Sequence, residues 1–158
     1  MKKSILILLL SLLCFSCQND DDNQLDCALY APAFPSVFLK ITDDNGNNLL
    51  ENGTINPDDI ILQSGLGIRY NPASKSNTAN ADIKVLDNTL ELYIPNDTTF
   101  DYILQLNDTQ TVKLDFTTEA LAAACGLVYF VPNSVVYNNQ DQTLDEVFPQ
   151  VFLTSISL

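Results

Sequence analysis

The sequence predicts an all-β fold, an antiparallel β-sandwich of about eight or nine strands with one short helix; a small β-barrel is the alternative. Apolar residues recur at every second position through most of the chain, the period of a half-buried strand. Asn, Asp, Gly and Pro interrupt these runs at short intervals, and a single brief segment has helical character. The 158 residues suit one domain with room for a genuine core.

Taken in order, "SVFLKIT" at 36–42 places Val37, Leu39 and Ile41 on one side and Phe38, Lys40 and Thr42 on the other. Weaker strands are expected at 59–63 and 67–70, followed by a polar loop, "NPASKSNTAN", at 71–80. "ADIKVLDNTLELYIP" at 81–95 reads as a hairpin turning at Asp87-Asn88, with Ile83 and Val85 facing Leu90, Leu92 and Ile94. "FDYILQLNDTQTVKLDFT" at 100–117 repeats the device around Asn107-Asp108. "TEALAAAC" at 118–125 is the helical exception, with Gly126 as its stop. Further strands are expected at 127–131, 134–137 and 150–156, with Pro132 and Pro149 as breaks. No internal repeat is evident.

"VFLKITDDNGNNLLENGT" at 37–54 resembles the opening of transthyretin-like or carboxypeptidase-regulatory-like domains, in which a strand enters an Asp-rich turn with Gly. "FDYILQL" is similar to their later tyrosine-bearing strand. The second glycine motif of those domains is missing. The resemblance implies a sandwich and carries no function, because sites and not folds set function.

The chain opens Met1-Lys2-Lys3, then runs through about a dozen mostly apolar residues to Ser16, the layout of a secretory signal. The run is too short to span a hydrocarbon core. Ser16-Cys17 resembles the lipobox at which bacterial signal peptidases release a lipid-modified cysteine, although Cys14 and Phe15 depart from the residues that pattern prefers. Acyl chains on Cys17 would tether the protein to a membrane. Gln18, Asn19, Asp20, Asp21 and Asp22 follow at once and resemble the export signal of surface lipoproteins of Bacteroidetes-type bacteria; as a bare charge run they would be a solvated tether. The expected organisation is therefore a lipoprotein signal peptide at 1–16, a lipidated cysteine and acidic tether at 17–26, and one β-sandwich domain at 27–158.

Seven basic against twenty acidic residues give a formal net charge of −13. Phosphate backbones demand a basic footprint that this chain lacks, so nucleic acid is not an expected partner. With Cys14 lost and Cys17 acylated, Cys27 and Cys125 remain, and export to an oxidising compartment permits them to pair. The other reading is two small buried thiols.

Histidine is absent, which removes the usual general base and the commonest transition-metal ligand. No nucleophile motif occurs, and "QSGLG" at 63–67 lacks the spacing of a nucleophile elbow. An enzyme is not expected. Calcium is the cofactor considered, because Asp43, Asp44, Asn45, Glu51, Asp58 and Asp59 lie in two neighbouring loops and calcium takes six to eight oxygens of this kind. Turn chemistry alone also accounts for Asp and Asn there. Tyr70, beside the 71–80 loop, is the candidate platform for a sugar. Asp97-Thr98-Thr99 resembles the O-glycosylation motif of exported Bacteroidetes proteins, with Thr98 as acceptor.

The expected function is that of a non-enzymatic lipoprotein of the outer membrane, exposed at the cell surface, that binds or supports an extracellular protein or glycan. The alternative is a periplasm-facing structural lipoprotein docked onto an envelope complex.

Overall fold

The computed structural model describes residues 27–74 and 81–158. The signal segment 1–16, Cys17, the acidic stretch from Gln18 to Asp22 and the 75–80 part of the polar loop lie outside the described residues. Residues Pro32–Leu158 form one compact unit; residues 27–31 belong to a separate unit and contain a turn.

Among the described residues, ten strands make two five-stranded sheets. They are β1 (Ser36–Thr42), β2 (Ile61–Ser64), β3 (Ile68–Asn71), β4 (Thr89–Tyr93), β5 (Thr99–Gln105), β6 (Thr111–Ala122), β7 (Val128–Tyr137), β8 (Gln140–Gln142), β9 (Asp145–Phe148) and β10 (Val151–Ser157). The first sheet runs β3-β4-β1-β10-β9 and the second β2-β5-β6-β7-β8. Neither closes on itself, so the sandwich holds and the barrel does not. All pairings are antiparallel except β1 with β10, which joins the first and last strands in parallel register from Ser36↔Val151 to Thr42↔Ser157.

The alternation read from the sequence becomes the core. Val37, Leu39 and Ile41 of β1, Leu90 and Leu92 of β4, and Phe152 and Ile156 of β10 face Tyr102 and Leu104 of β5, Val112, Leu114 and Phe116 of β6, and Val135 of β7. Phe100 stacks on Phe116 at 5.0 Å, and Tyr102 meets Phe116 edge-on at 6.2 Å. The other face of the first sheet carries a smaller cluster of Phe38, Leu86 and Leu153. On that face Arg69 Nε donates to Glu91 Oε2 at 2.7 Å, which pairs an exposed guanidinium with a buried carboxylate.

Tyr102 ties the two sheets together. Its hydroxyl lies 2.6 Å from the Tyr93 carbonyl and 2.9 Å from the Gly67 carbonyl, and accepts from the Gly67 N–H at 3.3 Å. Gly67 lies in the β2–β3 link and Tyr93 ends β4, so one buried phenol fixes three segments at once.

Three local expectations are overturned. Residues 118–125 are not a helix: Thr118–Ala122 extends β6 and pairs with β7 from Val128 to Pro132. Alanine's helix preference is worth only a few tenths of a kcal/mol per residue, and an eight-residue segment cannot nucleate a helix against a ready strand partner. Residues 81–85 are not the first arm of a hairpin either. Ala81–Lys84 forms one helical turn, α1, and Ile83 and Val85 are exposed. The predicted turn at Asp87-Asn88 is present, with Asn88 at φ 54°, but β4 finds its partners in β1 and β3.

The strands expected at 127–131 and 134–137 are one strand, β7, that passes through Pro132. A register shift opposite Thr117/Thr118 takes up the irregularity, and β8 pairs only from Val135 onward, so the missing Pro132 N–H costs no ladder bond there. The polar strand β8 and the short β9, whose Val147 and Phe148 pack against the Phe38 cluster, carry no alternation and are not among the expected strands.

Thr154 offers a test of the core. It is 1% exposed on β10, and its Oγ1 has no hydrogen-bond partner among the described residues. An unsatisfied buried hydroxyl costs about 1–3 kcal/mol, so Thr154→Val is expected to stabilise the domain by about 1 kcal/mol in urea unfolding. A loss of stability would mean that the hydroxyl is satisfied.

Candidate functional site

The acidic residues considered for calcium separate into two turns. Asp43 closes the first: Oδ1 accepts from the backbone N–H of Asn45 at 2.9 Å and of Asn47 at 2.8 Å, and Oδ2 accepts from Asn47 Nδ2 at 2.8 Å. Both carboxylate oxygens are thus engaged within the turn. Asp44 Oδ1 accepts from Ser157 Oγ at 3.3 Å, while Asn45 and Glu51 are exposed. In the second turn Pro57–Asp59 forms a short 3-10 segment capped by Asn56, whose Nδ2 donates to Asp59 Oδ2 at 3.1 Å.

The hydrogen bonds that hold Asp43 also favour its charged form. The Asn47 side-chain amide is the largest influence, and together with the Asn47 and Asn45 backbone amides it holds the Asp43 carboxyl below its ordinary value. A carboxylate depressed in the fold adds stability that is present above its unfolded value and lost as pH falls through the folded one. Asp43 is therefore expected to protonate below the ordinary aspartate value, with the Asn45 and Asn47 amide resonances moving in the same step. An NMR titration in which Asp43 protonates at the ordinary aspartate value would contradict this geometry.

The structure brings Asp58 and Asp59 beside Asn107 and Asp108 rather than beside Asp43 and Asp44. With Ile61 and Gln105 these residues line a shallow cleft of about 540 Å³ at one end of the sandwich. The sequence could not show this neighbourhood, because β2 and β5 come together across about forty residues of chain and carry the two loops with them. Among the described residues no group of three or more His, Cys, Asp or Glu side chains is placed to hold a metal ion. Asp43, Asp44 and Asn45 thus lie in one turn and Asp58 and Asp59 in another.

Tyr70 is not an exposed platform. It lies half-buried against the core, and its hydroxyl donates to Asn88 Oδ1 at 2.8 Å. Asn88 is itself buried, and its carbonyl accepts from Asn48 Nδ2 at 2.9 Å, so Tyr70 belongs to a structural polar network. Thr98 is exposed in the link between β4 and β5. Its carbonyl accepts from the Thr118 N–H at 2.9 Å, and Thr118 Oγ1 donates to the neighbouring Asp97 carbonyl. The link is held by its backbone while the Thr98 side chain stays accessible.

The outer face of the second sheet is polar. Asp101 and Asp115 lie directly opposite one another on β5 and β6, Lys113 Nζ pairs with Asp115, and Thr117 and Ser134 share a hydroxyl–hydroxyl bond of 2.7 Å. Like charges placed opposite weaken a ladder, and Lys113 offsets this pair.

Sequence reasoning missed the end of the β6–β7 hairpin. β5 pairs with β6 only as far as Thr117, and β8 pairs with β7 only from Val135, so among the described residues the ribbon from Thr118 to Pro132 has a strand on neither flank. Its tip is tight, with Cys125 at φ 62° and Gly126 at φ 72°, the positive values that match a hairpin turn to the twist of its strands. Ala123 N–H donates to the Leu127 carbonyl at 2.8 Å. Leu121, Leu127 and Val128 are exposed on this arm. "VYFV" at 128–131 was a readable strand signal; its partner was hidden behind the alanines.

Cys27 and Cys125 are both disulfide-bonded. Among the described residues no helix is long and apolar enough to cross a membrane. No protein-family model, curated protein or solved structure matches this chain, so its function rests on the residues themselves.

Proposed function

We propose that this chain is a lipid-anchored, non-enzymatic β-sandwich protein of the outer membrane, displayed at the cell surface as a binding or accessory module for an extracellular protein or glycan. One observation carries the reading: an apolar leader ends at Ser16-Cys17 and passes directly into Gln18-Asn19-Asp20-Asp21-Asp22. A thioether-linked lipid on Cys17 would hold the domain, and the acidic stretch would serve its export. The absence of histidine and the engagement of Asp43 in its own turn favour a non-catalytic role.

Two chemical details belong to the same reading. Cys27 and Cys125 pair with one another, the arrangement that export to an oxidising compartment favours. Thr98 carries a glycan, consistent with its exposure in a backbone-held link.

Mass spectrometry of the chain purified from its native envelope tests all three. Acylation at Cys17, a Cys27–Cys125 linked peptide and added hexose mass on Thr98 are expected. A mature N-terminus downstream of an unmodified Cys17 would end the anchoring reading. Protease treatment of intact cells then reports orientation, since digestion removes only an outward-facing domain; protection would favour docking inside the envelope.

A further inference from the structure

The arm formed by Thr118–Ala122 and Val128–Pro132 departs from the rest of this acidic molecule. From Ala120 to Gln140 there is no charged residue, in a chain of formal net charge −13. Leu121, Leu127 and Val128 present apolar surface at its end, at 37%, 38% and 53% exposure, and the residues around the turn are alanine, cysteine and glycine. Tyr129 and Phe130, half-buried, follow Val128 toward the body of the sheet.

We propose that the tip of this arm, through Leu121, Leu127 and Val128, inserts shallowly into the lipid surface that carries the anchor. The proposal rests on the anchoring reading and on the Cys27–Cys125 pairing. Cys125 sits in the turn itself, and Cys27 is ten residues from Cys17. Ten residues reach at most about 35 Å when fully extended, so the pairing keeps the turn within that distance of the acylated residue.

Charge and size select lipid over other occupants. Acidic groups elsewhere on the chain would resist approach to an anionic headgroup layer, whereas Leu121, Leu127 and Val128 bring no ion of their own into it. Three large apolar side chains on a hairpin end fall well short of the roughly 1,000 Å² that a stable protein–protein interface buries. The same three side chains are enough to add to an anchor that already holds the molecule at the surface. Entry is confined to the turn, because the arm's open strand edges carry backbone groups that hydrocarbon cannot satisfy. Tyr129 then falls at headgroup depth, where an aromatic ring with one polar end is favoured.

The chain contains no tryptophan, so one substitution supplies a unique reporter. Val128→Trp, at an exposed position, is placed in the full-length protein purified from membranes and reconstituted into phosphatidylethanolamine–phosphatidylcholine vesicles. Asp108→Trp, in the turn at the opposite end of β6, serves as the control. The Val128→Trp emission is expected to move to shorter wavelength on reconstitution and to be quenched by brominated acyl chains, while Asp108→Trp is unaffected. Unfolding curves matching the parent's show that both variants are folded.

If Val128→Trp is unquenched on protein that floats with the vesicles, the insertion proposal is overturned and the anchor stands. If mass spectrometry finds no acyl chain, the anchoring reading fails. The tip is then judged on the unacylated chain at saturating lipid, where quenching retains the proposal and its absence ends it. A blue shift that grows with protein concentration in the absence of lipid would assign the tip to a second copy of the chain and overturn the proposal.

Discussion

Gly65→Ala is expected to destabilise the sandwich by about 2–5 kcal/mol, the sum of backbone strain and overpacking. Gly65 sits at φ +122°, a conformation that L side chains rarely adopt, and an added Cβ would lie 2.4 Å from Tyr102 Cε1 and 2.5 Å from Cδ1. The ring cannot retreat. Tyr102 is fully buried, stands edge-on to Phe116, and has its hydroxyl held by the Tyr93 and Gly67 backbone. The methyl group can be accommodated only by moving the β2–β3 link away from the second sheet, which breaks those bonds too.

Gly67→Ala provides the internal comparison. Its Cβ would meet Tyr93 Cδ2 at 2.8 Å, but Tyr93 is 40% exposed and its ring can turn toward solvent. That variant should lose less than about 1 kcal/mol, as a surface change usually does. Urea unfolding of the two proteins side by side checks the argument. Equal losses, or a loss below about 1 kcal/mol for Gly65→Ala, would show that Tyr102 does not fix this link.

Removing the disulfide by Cys27→Ser with Cys125→Ser is expected to cost about 4–5 kcal/mol on the chain-entropy model for a closed loop of about 100 residues. The magnitude follows from loop length, since the bond would join the start of the described chain to a turn in its last third. Each single substitution should cost nearly as much as the double, because either one opens the same loop. Equilibrium unfolding of all three variants, with thiol counting of the denatured parent under non-reducing conditions, gives the answer. Additive losses, or a free thiol located by peptide mapping at Cys27 or Cys125 in the parent, would refute the pairing. The reduced arm should also fray first. A two-stranded ribbon is marginal in water, and amides of Thr118–Ala122 that exchange faster in the variant would show it.

Local chemistry made much of the core legible. Val37, Leu39 and Ile41, then Leu104, Val112, Leu114 and Phe116, could be placed inside from alternation alone, because a half-buried strand imposes a period of two whatever its partner is. Asn107-Asp108 and Asp87-Asn88 could be read as turns because Asn and Asp favour turns; Asn107 Oδ1 accepts from the Thr109 and Gln110 N–H groups, and Asn88 adopts a positive φ of 54°. Partner choice was not legible. "ADIKVLDNTLELYIP" has the pattern of a hairpin, yet β4 pairs with β3, the strand before it, and with the more distant β1. The candidate site suffered from the same limit: Asp43 and Asp59 look like neighbours along the chain, and the fold seats each in a turn of its own.

Sequence by itself determined that this chain is built of strands, which side chains line its core, where it turns, and that it has no histidine. These are consequences of single-residue preferences and of short periods, and they need no knowledge of distant contacts. Tertiary structure alone decided that β1 joins β10 in parallel, that Tyr102 links the two sheets through the Gly67 and Tyr93 backbone, and that the alanines at 120–124 belong to an extended, apolar arm and its turn. Their common cause is competition for partners. A helix preference of a few tenths of a kcal/mol per alanine is outweighed once a neighbouring strand offers a full ladder of hydrogen bonds, and which strand is near is settled only when the whole chain has folded.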